Sequence, residues 1–428
     1  MGCCGYHTTS NPVQHTKLSG HPIISQLLSF IPREIVDQAS DTFQSDRYYK
    51  TMDTWKQLVF MLYGVVTKVH SLNSLCKCLL FLGQKLSYLG ITTLPASSTL
   101  SDANRKRPNE VFGYIYYLLL AYYREEISDS YLSLPINGEA SPDRVKLFDS
   151  STVTLFTDVF KGAGKNPMNG KKKGGLKVHA LLPLDNMVPE LIWLTPASSN
   201  DKDFLGQLKA EPGAIYVFDK GYVNYGVYKK WTDSSAFYVT RLNENANYEV
   251  VSQIRADIHD FLAGGTILDQ LVELKTDQGP LKARLVTYKD PLTGKVFRFL
   301  SNLFDFRSHT IVLLYKNRWE IEPFFKRIKQ NFELGYFFSD SREGIKTQVW
   351  MVLIANLIFT VIHKRIKEAE QFTTLVSMAR ANLISYVCFQ TILKTNCLAA
   401  EERRLEIIQL DIFKSEQGGV LKNKEKSP

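Results

Sequence analysis

The apolar periodicity of this chain changes twice, and those two changes constrain its fold more than any other feature. Up to about residue 130, apolar side chains recur at helical spacing. Ile23-Ile24, Leu27-Leu28, Ile31 and Ile35 form one such series, and Trp55, Leu58-Val59 and Leu62 the next; 72–89 and 111–123 continue it. Near residue 144 the spacing becomes that of strands. Val145-Lys146-Leu147-Phe148-Asp149 is a short apolar run, Ser151–Phe156 alternates, and 176–182 and 191–194 read as two more strands with turn residues between them. A polar piece of helix length, 200–209, leads into Ala214–Asp219, whose unbroken apolar run predicts a buried strand. Phe237–Leu242 follows as a further strand, and 245–303 is rich in β-branched residues and turns. From 308 to about 410 the helical spacing returns. Such a chain is neither all-helical nor all-β, and the pattern predicts an α/β fold.

These shifts divide the chain. Residues 1–20 read as a flexible polar arm, 21–130 as a helical domain expected to bind DNA ends, and 140–244 with 304–365 as an α/β core interrupted by a β-rich insertion at 245–303. C-terminal helices follow over 366–414, and 415–428 is a Lys/Gly/Ser/Glu-rich tail expected to be disordered. Three strands in a meander, then a helix and further strands alongside, is the order of a ribonuclease-H-like core.

Composition narrows the partners. The 428 residues carry a net charge of +9, which suits a polyanion such as nucleic acid but does not establish one. The cysteines, at 3, 4, 76, 78, 388 and 397, are too scattered for a disulfide framework and lack zinc-finger spacing, so reduced thiols are expected. The longest apolar stretch, Val349–Ile362, is broken by Asn356 and falls short of the ~20 residues that span a bilayer. A soluble, cytoplasmic protein with no membrane partner is the expectation. One basic run stands out: Ser97–Pro108 joins a Ser/Thr cluster to Arg105-Lys106-Arg107, as a helix offered to a phosphate backbone would. A solvated basic turn ended by Pro108 is the alternative, and the same pair of readings applies to Lys165, Lys171-Lys172-Lys173 and Lys177.

The chemistry is carried by carboxylates. Asp149 and Asp219 each break an apolar run at what reads as a strand end, where a carboxylate costs folding free energy unless paired, solvated or metal-bound. Gly221, two residues after Asp219, would let the chain turn sharply away. The sharpest signal is Tyr315-x2-Arg318-x3-Glu322-x6-Lys329. On a helix of about 100° per residue these fall at about 0°, 300°, 340° and 320°, one stripe with a carboxylate between cations and a phenol. Pro323 interrupts a simple helix: either the helix kinks there, or Pro323 lies in a first turn and the stripe holds only from Glu322 onward.

In these residues the chain resembles the DDE transposases of bacterial insertion sequences, in the insertion-sequence-four group with its Y-R-E-K signature. Tyr315, Arg318, Glu322 and Lys329 match that signature at every spacing, Asp219-x-Gly221-Tyr222 resembles the second-aspartate motif, and Asp149 the first aspartate. The resemblance covers roughly 140–365, and Pro323 is its one departure. It implies a ribonuclease-H-like core with a β insertion between the second Asp and the Glu, and DNA strand cleavage and strand transfer using two Mg²⁺ (or Mn²⁺) ions. Asp149 would bridge both ions, with Asp219 on one and Glu322 on the other, while Arg318 and Lys329 clamp phosphates and Tyr315 hydrogen-bonds or stacks nearby. The implied partners are double-stranded DNA, as terminal inverted repeats and target, and a second copy in a homodimeric complex, with no small-molecule substrate. Three alternatives stand beside it: a silent transposase-derived protein that only occupies DNA ends, another ribonuclease-H-like nuclease, and a metal-free carboxylate-pair glycosidase.

Overall fold

The computed structural model describes residues 21–128, 139–154, 175–254, 265–366 and 371–389. The arm at 1–20, the tail at 415–428 and most of the expected C-terminal helices lie outside them. Seven helices come first: α1 Ile23–Leu28, α2 Arg33–Phe43, α3 Thr54–Thr67, α4 Leu72–Leu82, α5 Ser97–Lys106, α6 Glu110–Tyr122 and α7 Arg124–Ile127. Starts are set locally, as where Asp53 accepts the Lys56 N–H to cap α3.

The strands are β1 Val145–Thr154, β2 Gly175–Pro183, β3 Leu191–Pro196, β4 Ile215–Phe218, β5 Phe237–Arg241, β6 Tyr248–Gln253, β7 Thr266–Thr276, β8 Gly279–Lys289 and β9 Val296–Ser301. Helix α8 Asp201–Leu205 precedes β4, and α9 Tyr225–Asp233 joins β4 to β5. Among the described residues one mixed sheet holds all nine strands, in the order β3-β2-β1-β4-β5-β9-β8-β7-β6. β1, β4 and β5 are parallel, and β2 and β3 antiparallel beside them. That half is the order of a ribonuclease-H-like core. The segment 245–303, read as an insertion, does not form a sheet of its own: β9 pairs with β5 and extends the same sheet.

Side-chain alternation sorts the sheet into two faces. Phe148, Tyr216, Phe218 and Tyr238 pack toward Phe204 of α8 and Tyr228 and Trp231 of α9. Val145, Leu147, Ile215, Val217 and Val239 pack toward α10 Ser308–Asn317, through Ile311, Val312 and Leu314. Beyond α10 run α11 Ile321–Asn331, α12 Arg342–Arg365 and α13 Phe372–Ala381.

Helix α12 ties the halves together. Among the described residues it is the one helix long and apolar enough to cross a membrane, and 94% of its most apolar window is buried inside the protein. The helix outruns the apolar stretch at 349–362 because Arg342 to Gln348 continue it N-terminally and His363-Lys364-Arg365 close it. It packs against α3, α5, α6 and α7. Glycine makes the close approach to α6 possible: a Cβ on Gly113 would lie 2.9 Å from the Trp350 ring. One apolar cluster therefore runs from Ile23 through α12 to Val153, Val178 and Ala180 of the sheet. The N-terminal helices share a core with the rest of the protein.

Candidate active site

β1 and β4 pair in parallel from Val145↔Ile215 to Phe148↔Phe218. Neighbouring strands lie about 4.8 Å apart, so Asp149 and Asp219, each one residue beyond the last pair, emerge side by side. Asp149 does not close its strand, as the sequence suggested. β1 continues to Thr154 against β2, and Asp149 lies opposite Ala180. What ends at Phe148 is the pairing with β4. After Asp219 the chain leaves the sheet in a 3₁₀ turn, Lys220–Tyr222, with Tyr222 buried at 4.4 Å from the Phe148 ring. Gly221 needs no special backbone there, and a Cβ on it would meet nothing within 4 Å.

The third carboxylate comes from the helical tract. α10 ends at Asn317, Arg318–Glu320 form a 3₁₀ turn, and α11 starts at Ile321. Pro323 is thus the third residue of α11, in the first turn, where its missing N–H has no intrahelical acceptor to lose. A tighter 3₁₀ turn ahead of it replaces the kink. The signature residues still reach one place. Tyr315 Oη donates to Asp219 Oδ1 at 2.9 Å. Arg318 Nη1 donates to Asp149 Oδ2 at 2.9 Å, and its Nη2 reaches Glu322 Oε1 at 3.4 Å. Lys329 Nζ donates to Ser151 Oγ at 2.7 Å and the Thr152 carbonyl at 3.2 Å, further along β1.

The electrostatics follow from burial. Burial pushes the Asp149 carboxyl up from its ordinary range and the nearby Asp219 and Glu322 charges push the same way, against the Ser150 N–H and the Arg318 guanidinium. Burial opposes the Arg318 charge, yet Tyr315, Asp149, Asp219 and Glu322 together raise its pKa. Burial, then Asp219, keep the Tyr315 phenol protonated. Glu322 is half-exposed, Asp149 about a quarter. Among the described residues, no three His, Cys, Asp or Glu side chains are spaced to hold a metal ion. Asp149 and Glu322 converge on Arg318, and Asp219 on Tyr315.

A family model described as "Transposase DDE domain" matches residues 140–358, just over half of the chain. The chain belongs to that family. A second model, "Domain of unknown function (DUF4372)", matches 19–92. Among curated relatives, the putative transposase y4zB of Sinorhizobium fredii is 29% identical over 62% of this chain and 71% of its own length. The probable transposase for insertion sequence element IS5377 of Geobacillus stearothermophilus is 22% identical over 53% of this chain and 59% of its own. Transposase InsG for insertion sequence element IS4 of Escherichia coli is 27% identical over 40% of each. A solved piggyBac transposase synaptic complex with hairpin DNA overlays only loosely, at TM-score 0.39 and 13% identity, covering 89% of this chain and 83% of that one.

Within this DDE-family chain the other expected residues separate. Arg105 and Lys106 are exposed, Arg105 at 3.9 Å from Asp340 and Lys106 at 3.3 Å from Asp102. Arg107, the third member of the run, is fully buried and ion-paired to Asp46 at 2.9 Å, so it does not face solvent as expected. Its side chain points into the α2–α3 junction because α5 ends at Lys106 and Arg107 is already extended. Lys177 is drawn off too, held by Asp201 at 2.8 Å. Lys165, Lys171, Lys172 and Lys173 lie outside the described residues. Ser151, which accepts from Lys329, joins the candidate site although sequence reasoning does not single it out. Its signal is present in the alternation, since Asp149, Ser151 and Val153 share the face that meets α11.

Proposed function

We propose that this chain is a transposase of the Y-R-E-K group that cleaves DNA at the ends of a bacterial insertion sequence and joins the freed ends to target DNA. The observation that carries the reading is the convergence at the β1/β4 strand ends: Arg318 between Asp149 and Glu322, with Tyr315 on Asp219. The donor set suits a hard divalent cation in chemistry though not in its present spacing, since it offers carboxylate oxygens alone and two of the three, Asp149 and Glu322, already share one positive group, Arg318. Asp149, Asp219 and Glu322 would hold Mg²⁺ or Mn²⁺, two ions per site, which when bound activate the attacking oxygen and stabilise the leaving one.

The chain's own residues supply the rest. Tyr315 fixes the Asp219 carboxylate through a neutral hydrogen bond, so it orients the group without competing as a charge. Arg318 is free to exchange its carboxylate partners for phosphate oxygens, which a guanidinium fork grips in pairs. Lys329 meets no carboxylate among the described residues and is held only by a hydroxyl and a carbonyl, so its charge is available to a DNA strand. Arg105 and Lys106 add phosphate contacts from the helical region, and a homodimer on paired ends in the cytoplasm is the working assembly.

The test is a nicking and joining assay on DNA carrying the inverted repeats that flank the gene, with Mg²⁺. Asp149→Ala, Asp219→Ala and Glu322→Ala should each abolish cleavage while DNA binding survives, because affinity comes from phosphate contacts elsewhere. Cleavage at near wild-type rate in any of them overturns the assignment. Hydrolysed but never joined ends indicate a nuclease, and bound but uncut DNA a silent end-binding protein.

A further inference from the structure

The helical region carries a groove of which the reading above uses only Lys106. It has a volume of about 680 Å³ and lies between the α2–α3 connection and α5; Tyr48, Tyr49, Lys50, Ser98, Asp102 and Lys106 are among its lining residues. Two features of the connection are unusual for a loop. Tyr48 is 84% exposed, with the Arg47 guanidinium 5.4 Å from its ring centroid. Yet the loop beneath is held by a buried hub. Arg107 donates to Asp46 at 2.9 Å, to the Met52 carbonyl at 2.7 Å and to the Ser45 carbonyl at 3.2 Å, and also to Gln57. Its guanidinium lies 4.0 Å from the Tyr49 ring centroid, and Asp46 further accepts from the Thr54 N–H at 2.7 Å and Ser40 Oγ at 2.7 Å.

A fully buried arginine committed to three loop carbonyls or carboxylates stiffens that loop, and a stiff loop loses little entropy when it binds. The Arg107 charge is matched internally by Asp46, and the Asp102 charge by Lys106 at 3.3 Å. Arg47 and Lys50 remain as exposed cations around an exposed ring, and the Lys106–Asp102 pair is itself solvent-exposed, so Lys106 can exchange Asp102 for a phosphate. Cations that track a phosphate backbone beside an aromatic face for a base or sugar is the arrangement that grips a nucleic-acid strand.

We infer that this groove is a DNA-strand site, with phosphates on Lys50 and Lys106, a base or sugar against Tyr48, Arg47 beside that ring outside the lining, and Arg107 as its internal strut. The inference rests on the transposase reading for its choice of DNA and adds where, in the region matched by the family of unknown function and the adjoining α5, a strand is held.

The test uses the full chain and fluorescence anisotropy with single-stranded and duplex oligonucleotides of arbitrary sequence across a salt series. Combining Tyr48→Ala, Lys50→Ala and Lys106→Ala should weaken binding at least tenfold. The slope of log affinity on log salt should shrink by about 0.7–0.9 for each phosphate no longer neutralised. These side chains are exposed, so an unchanged melting midpoint certifies the fold. Removing two exposed lysines elsewhere, Lys275→Ala with Lys282→Ala, should leave affinity within about twofold. Equal losses in both variants, or none in the groove variant, overturn the groove assignment while leaving the transposase reading intact. A wild-type chain that binds neither oligonucleotide overturns both.

Discussion

Replacing Arg318 with Gln removes the one cation between Asp149 and Glu322. The Arg318 side chain is 9% exposed and its partners 23% and 49%, so the pair to Asp149 is partly desolvated and the pair to Glu322 is largely hydrated. Two unit charges about 4 Å apart at an effective dielectric of 20 attract by about 4 kcal/mol, and breaking a buried pair from one side costs about 3–5 kcal/mol. With Asp149 still touching water, a loss of about 2–3 kcal/mol is expected at pH 8. The sign of its pH dependence is fixed by Asp149. Burial and its acidic neighbours already hold that carboxyl above its ordinary range, and losing Arg318 raises it further. The ionised carboxylate is therefore the unfavourable form, and the destabilisation should fade as pH falls through the raised pKa and Asp149 takes a proton. Urea unfolding at pH 8 and pH 5 measures this. Added Mg²⁺ should restore stability to the Gln variant more than it stabilises the wild type, a readout independent of catalysis. A loss that is the same at both pH values, or none at all, would show that Arg318 does not neutralise this cluster.

The same geometry sets three further outcomes. Lys329→Gln should fold normally, because its partners are a hydroxyl and a carbonyl, yet lose most strand transfer on pre-nicked ends; unchanged transfer would return Lys329 to a structural role. Asp149→Asn should raise the thermal midpoint at pH 8 while abolishing cleavage: a carboxyl whose folded pKa is raised contributes stability only while protonated and loses it as pH rises through that pKa. A midpoint that falls at pH 8 contradicts this. Arg107→Met should cost about 3 kcal/mol in urea unfolding, since it leaves Asp46 and three further acceptors without their donor; a loss under about 1 kcal/mol would mean that the loop does not depend on the strut.

Much of this protein is written locally. A change from 3.6-residue to two-residue apolar spacing is visible in any stretch of a dozen residues, which is why the α/β class and the order of elements are readable. Asp149 and Asp219 stand out because each interrupts an apolar run, and the Tyr315, Arg318, Glu322 and Lys329 spacing because four side chains on one tract share a direction. Pairings between distant segments are another matter. That β9 would add its hairpins to β5 rather than build a separate sheet depends on an exposed strand edge more than fifty residues earlier in the chain. That β1 would run on past Asp149 depends on β2, since the sequence shows only where the apolar run stops and not where the hydrogen-bonded ladder does. The run Arg105-Lys106-Arg107 makes the division plain. Three adjacent cations read alike in sequence, but the helix ends between the second and third, and a convergent acceptor set from Asp46, Met52 and Ser45 waits for only one of them. A guanidinium is worth burying only where several acceptors converge, and convergence is a property of packed elements, not of neighbouring residues.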